Sequence, residues 1–253
     1  MKQETRNPLY LHLSVVRDKL GAFVAESVGV EANHIRILPA GCVFAGKRSD
    51  ELPASLHTFV PGVPVHELPK ELKALKVFIQ QPVKASIHKK EWGLTRRVIQ
   101  DMSLHPDLPK IVALDTFIAN IDRHKGNFFY DISSDHFFLI DLESSFNKNV
   151  GAYACRCIAS MMCNKDEQVS VQELGALESY RDMLKLLLER HSPESLYRIM
   201  VEYAFEAGIL SHSPKKRVVK ELSLYEQSMK KNYDSCIALV LLLDQLIAQY
   251  KHV

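Results

Sequence analysis

Asn120-Ile121-Asp122-Arg123-His124-Lys125-Gly126-Asn127, then an aromatic stretch that closes on Leu139-Ile140-Asp141, decides how this chain is read. Between those marks lie Asn127-Phe128-Phe129-Tyr130-Asp131 and His136-Phe137-Phe138-Leu139-Ile140-Asp141, separated by Ile132-Ser133-Ser134-Asp135. Two apolar, aromatic runs around a short polar break predict a β-hairpin. A hairpin sets its outer ends side by side, so Asn127 and Asp141 are expected to converge, with Asp122 just beyond. Phosphoryl transfer asks little of a protein: an Asp beside the attacking hydroxyl, and oxygen ligands that hold magnesium against the phosphates. Magnesium takes carboxylate, amide and phosphate oxygens in an octahedral shell. The three side chains have that chemistry in that order.

Upstream, Asp107-Leu108-Pro109 predicts a helix start, with Asp107 as N-cap and the proline in the first turn. Ile111, Leu114, Phe117, Ile118 and Ile121 carry the apolar period, which puts the helix end near Arg123. Leu13, Val16, Leu20, Phe23, Val24 and Val28 predict a helix over 10–28 that stops at Gly29. Runs at 34–38 and 55–60, broken by Pro39, Gly41 and Pro61-Gly62, read as strands, and the polar stretch 46–54 as a loop. Further helices are expected around 68–80 and 93–103, then at 171–190, 194–208, 215–230 and 233–250. The outline is α+β: a small mixed part over 1–64, then a larger, mainly helical part over 65–253 that carries the hairpin.

The chain has 253 residues, 47% of them hydrophobic and 25% charged, enough to bury a sizeable core. A net charge of +2 and a pI near 8.2 are too balanced to point to nucleic acid or an anionic membrane as the main partner. The five cysteines are Cys42, Cys155, Cys157, Cys163 and Cys236. An odd number in a chain of this size predicts a reducing compartment, hence the cytoplasm. Cys155, Cys157 and Cys163 do not have zinc spacing and read as ordinary thiols. No signal-peptide design opens the chain, and the longest apolar run, Cys236 to Leu243, falls well short of the roughly 20 residues that span a bilayer.

The 120–141 stretch resembles the catalytic segment of the atypical kinases, a group that includes the HipA-like kinases and the phosphoinositide 3-/4-kinases. Their pattern is Asp-Arg-His-x-x-Asn followed by a strand ending in apolar-Asp. It stands here as Asp122 to Asn127 and Leu139-Ile140-Asp141. The resemblance implies a protein-kinase-like fold with a reduced N-lobe, using ATP and Mg2+. It implies Asp122 as catalytic Asp, Asn127 and Asp141 as magnesium ligands, and Arg123 and His124 as braces of the loop. Less specifically, 17–29 resembles the helix whose acidic residue pairs with the ATP lysine, a place taken here by Asp18. Likewise 55–62 resembles the hinge whose backbone meets adenine, at Phe59 and Val60. Phe146 is similar to the apolar residue beyond the metal Asp. The slightly closer likeness to HipA-like kinases implies a protein Ser or Thr as acceptor.

The chain departs from that pattern in two places. Leu142-Glu143 follows Asp141 where the family carries a glycine. Only seventeen residues precede Asp18, with no glycine-rich loop, and Lys2 is the single lysine there to serve ATP. A partner that supplies the missing N-lobe elements is one expectation. A pseudokinase, or nucleotide-binding interaction module without turnover, is the competing one. Transfer of AMP in place of phosphate keeps the same fold and stays open. His124 as an independent base lacks any nucleophile signature beside it.

Overall fold

The computed structural model describes residues 13–39, 42–44, 47–48, 53–68, 96–123, 126–146, 148–163, 169–211 and 216–251. The molecule is a mixed, mostly helical structure with small sheets. Helix α1, Ser14–Ser27, buries Val16, Leu20 and Val24 on one face. It ends where Gly29 takes φ 71°, a conformation that glycine adopts without steric cost. Strand β1, Ile35–Leu38, then pairs antiparallel with β4, Ala54–His57, in the register Ile35–His57 to Leu38–Ala54. Between them β2, Val43–Phe44, and β3, Lys47–Arg48, form their own two-stranded ladder. Part of the stretch expected to be a loop is therefore strand, too short to show an alternating pattern.

A third sheet, of three strands, orders β5–β6–β7. β5 is Val63–Pro64, β6 is Phe128–Asp131 and β7 is His136–Leu139. β6 and β7 form the hairpin, with Phe128 opposite Leu139 and Asp131 opposite His136. Phe128 stacks on Phe137 at 4.7 Å, so the aromatic runs fill the face turned to the core. β5 brings the chain straight from the first sheet, pairing Val63 with Tyr130. A Cβ on Gly62, at φ 90°, would lie 2.4 Å from the Tyr130 carbonyl oxygen, so glycine is required at that crossing. Residues 31–33 run along the far edge of β7: Leu139 N–H donates to Glu31 O and Asn33 N–H to Leu139 O.

The remaining elements are helices α2, Arg96–Met102; α3, Asp107–Phe117; α4, Val150–Cys163; α5, Val171–Arg190; α6, Pro193–Glu206; and α7, Lys216–Lys251. α5 starts on a capping box of Ser170 and Glu173, and α6 on Ser192 with Pro193 in its first turn. Four expectations are corrected. Pro106 is the N-cap of α3 and Asp107 lies in its first turn, where its carboxylate accepts from Lys110 and His136. α3 stops at Phe117, well before Arg123. α4 forms over the cysteine-bearing stretch, for which no helix is expected. The two C-terminal helices are one, because nothing at 231–232 breaks it and Asn232 is held inside. The helix expected at 68–80 lies, beyond Leu68, outside the described residues.

Asn232, 2% exposed, locks the helical part together. Its Nδ2 donates to Thr116 O at 2.9 Å and Phe117 O at 2.8 Å, and its Oδ1 accepts from Gly151 N at 2.8 Å. One side chain thus satisfies the end of α3 and the start of α4 from the middle of α7. Replacing it strands the Phe117 carbonyl and the Gly151 amide, each worth roughly 1–3 kcal/mol, and leaves Thr116 O with the Ala119 N–H. Asn232→Ala should lower unfolding free energy by about 3 kcal/mol in urea titrations; a loss under about 0.5 kcal/mol would contradict this role.

Candidate active site

The site is built from the way α3 ends. Ala119 takes φ 53°, its N–H bonds Thr116 O at 3.3 Å, and Asn120 N–H bonds Asp115 O at 2.8 Å. This is a helix stop of the left-handed kind, made without glycine. The fully buried Asn120 then turns inward: its Nδ2 donates to Asp115 Oδ1 at 2.9 Å and its Oδ1 accepts from Asp122 N–H at 3.1 Å.

Arg123 closes the loop. Its Nε donates to Asp115 Oδ2 at 3.0 Å and its Nη2 to Asp115 Oδ1 at 2.9 Å, a two-pronged ion pair with both side chains under a tenth exposed. Its Nη1 donates to the carbonyls of Asn127, at 2.9 Å, and Ile140, at 3.3 Å. Those carbonyls belong to the two outer ends of the hairpin. One guanidinium therefore ties the end of α3, the residue before β6 and the residue after β7.

Within that frame Asn127, 1% exposed, donates its Nδ2 to Asp122 O at 2.8 Å. The amide nitrogen thus donates to the loop, and Oδ1 is the atom with metal-ligand chemistry. Asp141 follows Ile140 with φ 57°, a left-handed conformation costly for a non-glycine residue, and is partly exposed. Asp122 is also partly exposed. A carboxylate and an amide oxygen fit magnesium, which takes few protein ligands and completes its shell with water and phosphate. Among the described residues no three His, Cys, Asp or Glu side chains gather around one metal position.

Asp18 joins from α1. Its Oδ1 accepts from Leu142 N–H at 2.8 Å, and a Cβ on Gly21 would lie 2.8 Å from the Leu142 Cβ. α1 thus rests directly on the residue after Asp141. Asp18 is 5% exposed, and burial pushes its carboxyl up to about 7, against the Leu142 amide, with the Asp141 and Glu143 charges adding to the rise. His57 Nε2 stands 3.5 Å from Asp18 Oδ2 and 2.8 Å from Ser55 Oγ, while Nδ1 meets the Asn33 amide. Burial lowers the His57 pKa, partly offset by the Asp141 charge. Among the described residues His57 is the group within ion-pair distance of Asp18, and the Arg123 charge also reaches it.

The structure brings Asp122, Asn127, Asp141 and Arg123 together, with Asp18 behind Leu142. Val60 is buried, whereas the Phe59 side chain is 91% exposed, on the 58–62 segment that joins the two sheets. Lys2 and His124 lie outside the described residues. Sequence reasoning missed Asp115, Asn120, His57 and Asn33. Asp115 carried a signal: it stands four residues after Ile111 and three before Ile118, a charge on the apolar stripe of α3.

No family model matches the chain, and no curated protein matches it. Among solved structures, the crystal structure of a Helicobacter pylori proinflammatory kinase, CtkA, is similar at a TM-score of 0.45 and 11% identity, over 95% of this chain and 84% of that one. A likeness of that level carries no inference about this chain. Among the described residues no helix is long and apolar enough to cross a membrane.

A carboxyl whose pKa is higher in the folded than in the unfolded chain stabilises the fold at low pH. Its contribution is complete below the unfolded value near 4 and is lost as pH rises through about 7. Without added metal, the stability of the wild type should therefore fall relative to Asp18→Asn between pH 4 and 7, by on the order of a few kcal/mol. Urea unfolding at stepped pH measures the difference; parallel curves would mean that Asp18 titrates normally.

Proposed function

We propose that this chain is an ATP- and magnesium-dependent phosphotransferase of the atypical, HipA-like kinase kind, acting on a protein Ser or Thr hydroxyl. The observation that carries it is the Arg123 bridge, which ties the Asp122–Asn127 loop to the residue before Asp141. Three oxygen-bearing side chains stand at the joined ends of one hydrogen-bonded loop and one hairpin, and their chemistry is what phosphoryl transfer requires.

Asp122 accepts a hydrogen bond from the acceptor hydroxyl, orients its oxygen towards the γ-phosphorus and takes its proton as the new oxygen–phosphorus bond forms and the bond from the γ-phosphorus to the β,γ-bridging oxygen breaks, releasing ADP. Asn127, through Oδ1, and Asp141, through its carboxylate, are the residues that would hold magnesium. The ion, when bound, neutralises charge on the β- and γ-phosphates. Arg123 keeps both ligands in register. The backbone of the 58–62 segment, around Phe59 and Val60, is the proposed adenine contact, and Asp18 the acidic partner of the ATP-binding cation. Lys2, or a lysine from a partner polypeptide, would provide that cation. A reducing, cytoplasmic setting suits the free thiols.

One observation favours a second reading, a pseudokinase or nucleotide-binding module without turnover. Among the described residues the group within ion-pair distance of Asp18 is His57, not a lysine. The two readings separate on paired measurements. Asp122→Asn should leave the thermal shift given by ATP and magnesium in place and cut phosphate transfer to a Ser/Thr protein acceptor by at least about 100-fold. Asp141→Ala should abolish the shift. A wild-type protein that shifts with ATP and magnesium yet transfers nothing is the binding module. No shift and no transfer contradict both.

A further inference from the structure

α1 packs along α6, and His191, which caps the end of α5 just before α6 begins, closes the seam between them. The side chain is almost fully buried, with the residue 5% exposed. Its Nε2 lies 2.6 Å from the Oγ of Ser27, the last residue of α1. The Ser27 hydroxyl donates to Val24 O at 2.7 Å, so its Oγ accepts and the imidazole carries its hydrogen on Nε2. Two rings enclose the imidazole: Phe23 from α1, edge-on at 5.9 Å between centres, and Phe117 from α3 at 6.2 Å. One histidine thus meets α1, α3 and the joint of α5 and α6. At the other end of the seam Lys19 Nζ holds the Glu206 carboxylate at 2.8 and 2.7 Å, so α1 and α6 run antiparallel.

That place suits a neutral ring. A second proton, on Nδ1, would put a charge into a nearly closed and largely apolar site. Burial, and then the like charge of Arg190 at the end of α5, both lower the His191 pKa. The acids on the surrounding elements are engaged elsewhere. Glu206 holds Lys19, Asp18 holds the Leu142 amide, and Asp115 holds Arg123. Glu26 stands 4.0 Å from His34, and Glu194 3.9 Å from Lys230. Tyr233, beyond Phe117, donates its hydroxyl to Leu188 O.

We propose that His191 is a pH-sensitive latch: proton uptake by its ring opens the seam between α1 and the helical part. The contact is complete above the unfolded value near 6.5 and is lost as pH falls below it, because the freed imidazole binds the proton that the buried one resists. The C-terminal end of α1 is then released from His191, while the Lys19–Glu206 pair anchors the other end. α1 also carries Asp18 and Gly21 against Leu142, the residue after Asp141. Acid therefore reaches the Asp141 turn through a helix rather than through any group at the turn itself.

The test uses neither nucleotide nor metal and stands apart from the phosphotransferase reading. His191→Gln keeps a side-chain N–H for Ser27 Oγ and does not titrate. Asp18 titrates in both proteins, so their difference isolates His191. One proton taken up on opening favours the open state by up to about tenfold per pH unit below 6.5. Between pH 7.5 and 5.5, hydrogen-exchange protection of amides 20–25 should therefore fall about tenfold further in the full-length wild type than in the variant, with the Leu142 amide following. The Leu239 and Leu243 amides of α7 should show no such difference. Imidazole NMR of the wild type alone needs no variant: at pH 6.5, where a free imidazole is half charged, the His191 ring should still be neutral with its hydrogen on Nε2. A ring already half charged at that pH, α1 protection that changes equally in both proteins, or a matching loss in α7 would overturn the latch.

Discussion

The Arg123 guanidinium is the interaction on which the rest of the structure depends. Moving an ion pair out of water costs several kcal/mol per charge, and the cost is offset only when the remaining donors also find acceptors. Here they do: two prongs meet Asp115, and Nη1 meets the carbonyls of Asn127 and Ile140. The energetic value of such a pair is small against an apolar replacement, but its geometric value is large. It draws the carbonyls at the two ends of the hairpin onto one nitrogen, Nη1. Loss of either partner would leave a buried charge alone, so the loop and the fold fail together.

Around that fork the backbone is held in conformations that non-glycine residues rarely adopt. Ala119, Asp141 and Phe146 all have φ between 53° and 66°. Each costs on the order of 1 kcal/mol and persists only where neighbours fix it. The neighbours are visible: Phe146 N–H bonds Ile118 O at 2.6 Å, and Leu142 is held by Asp18 from α1. Gly21 lets α1 approach Leu142 more closely than any side chain would allow. Strain gathered on both sides of Asp141, and supported by α1, is what a preorganised carboxylate requires. It also explains why the small N-terminal part and the helical part are not independent.

How much of this was legible in the sequence depends on how local each signal is. The hairpin could be read, because two aromatic runs flank the short polar break Ile132–Asp135, whereas its register, with Phe128 opposite Leu139, could not. The grouping of Asp122, Asn127 and Asp141 followed from that hairpin, together with the family resemblance. The end of α3 could not be read: no glycine or proline marks it, and the stop at Ala119 is made by hydrogen bonds to Thr116 and Asp115. The continuity of α7 through 231–232 could not be read, because the Asn232 amide is satisfied by residues over 80 positions away. Helix α4 was missed behind its cysteines. His57 and Asn33 became visible only when β4, α1 and β7 came together.

The central claim is that Asn127 and Asp141 share one divalent cation at a nucleotide's phosphates, with Asp122 facing the γ-phosphate. The most direct measurement is a crystal structure with manganese and a non-hydrolysable ATP analogue, with the metal located by anomalous scattering. The account predicts a manganese peak roughly 2.1 Å from Asn127 Oδ1 and from an Asp141 carboxylate oxygen, bridged to the phosphates. Manganese bound elsewhere, or a nucleotide whose phosphates lie away from this loop, would contradict it.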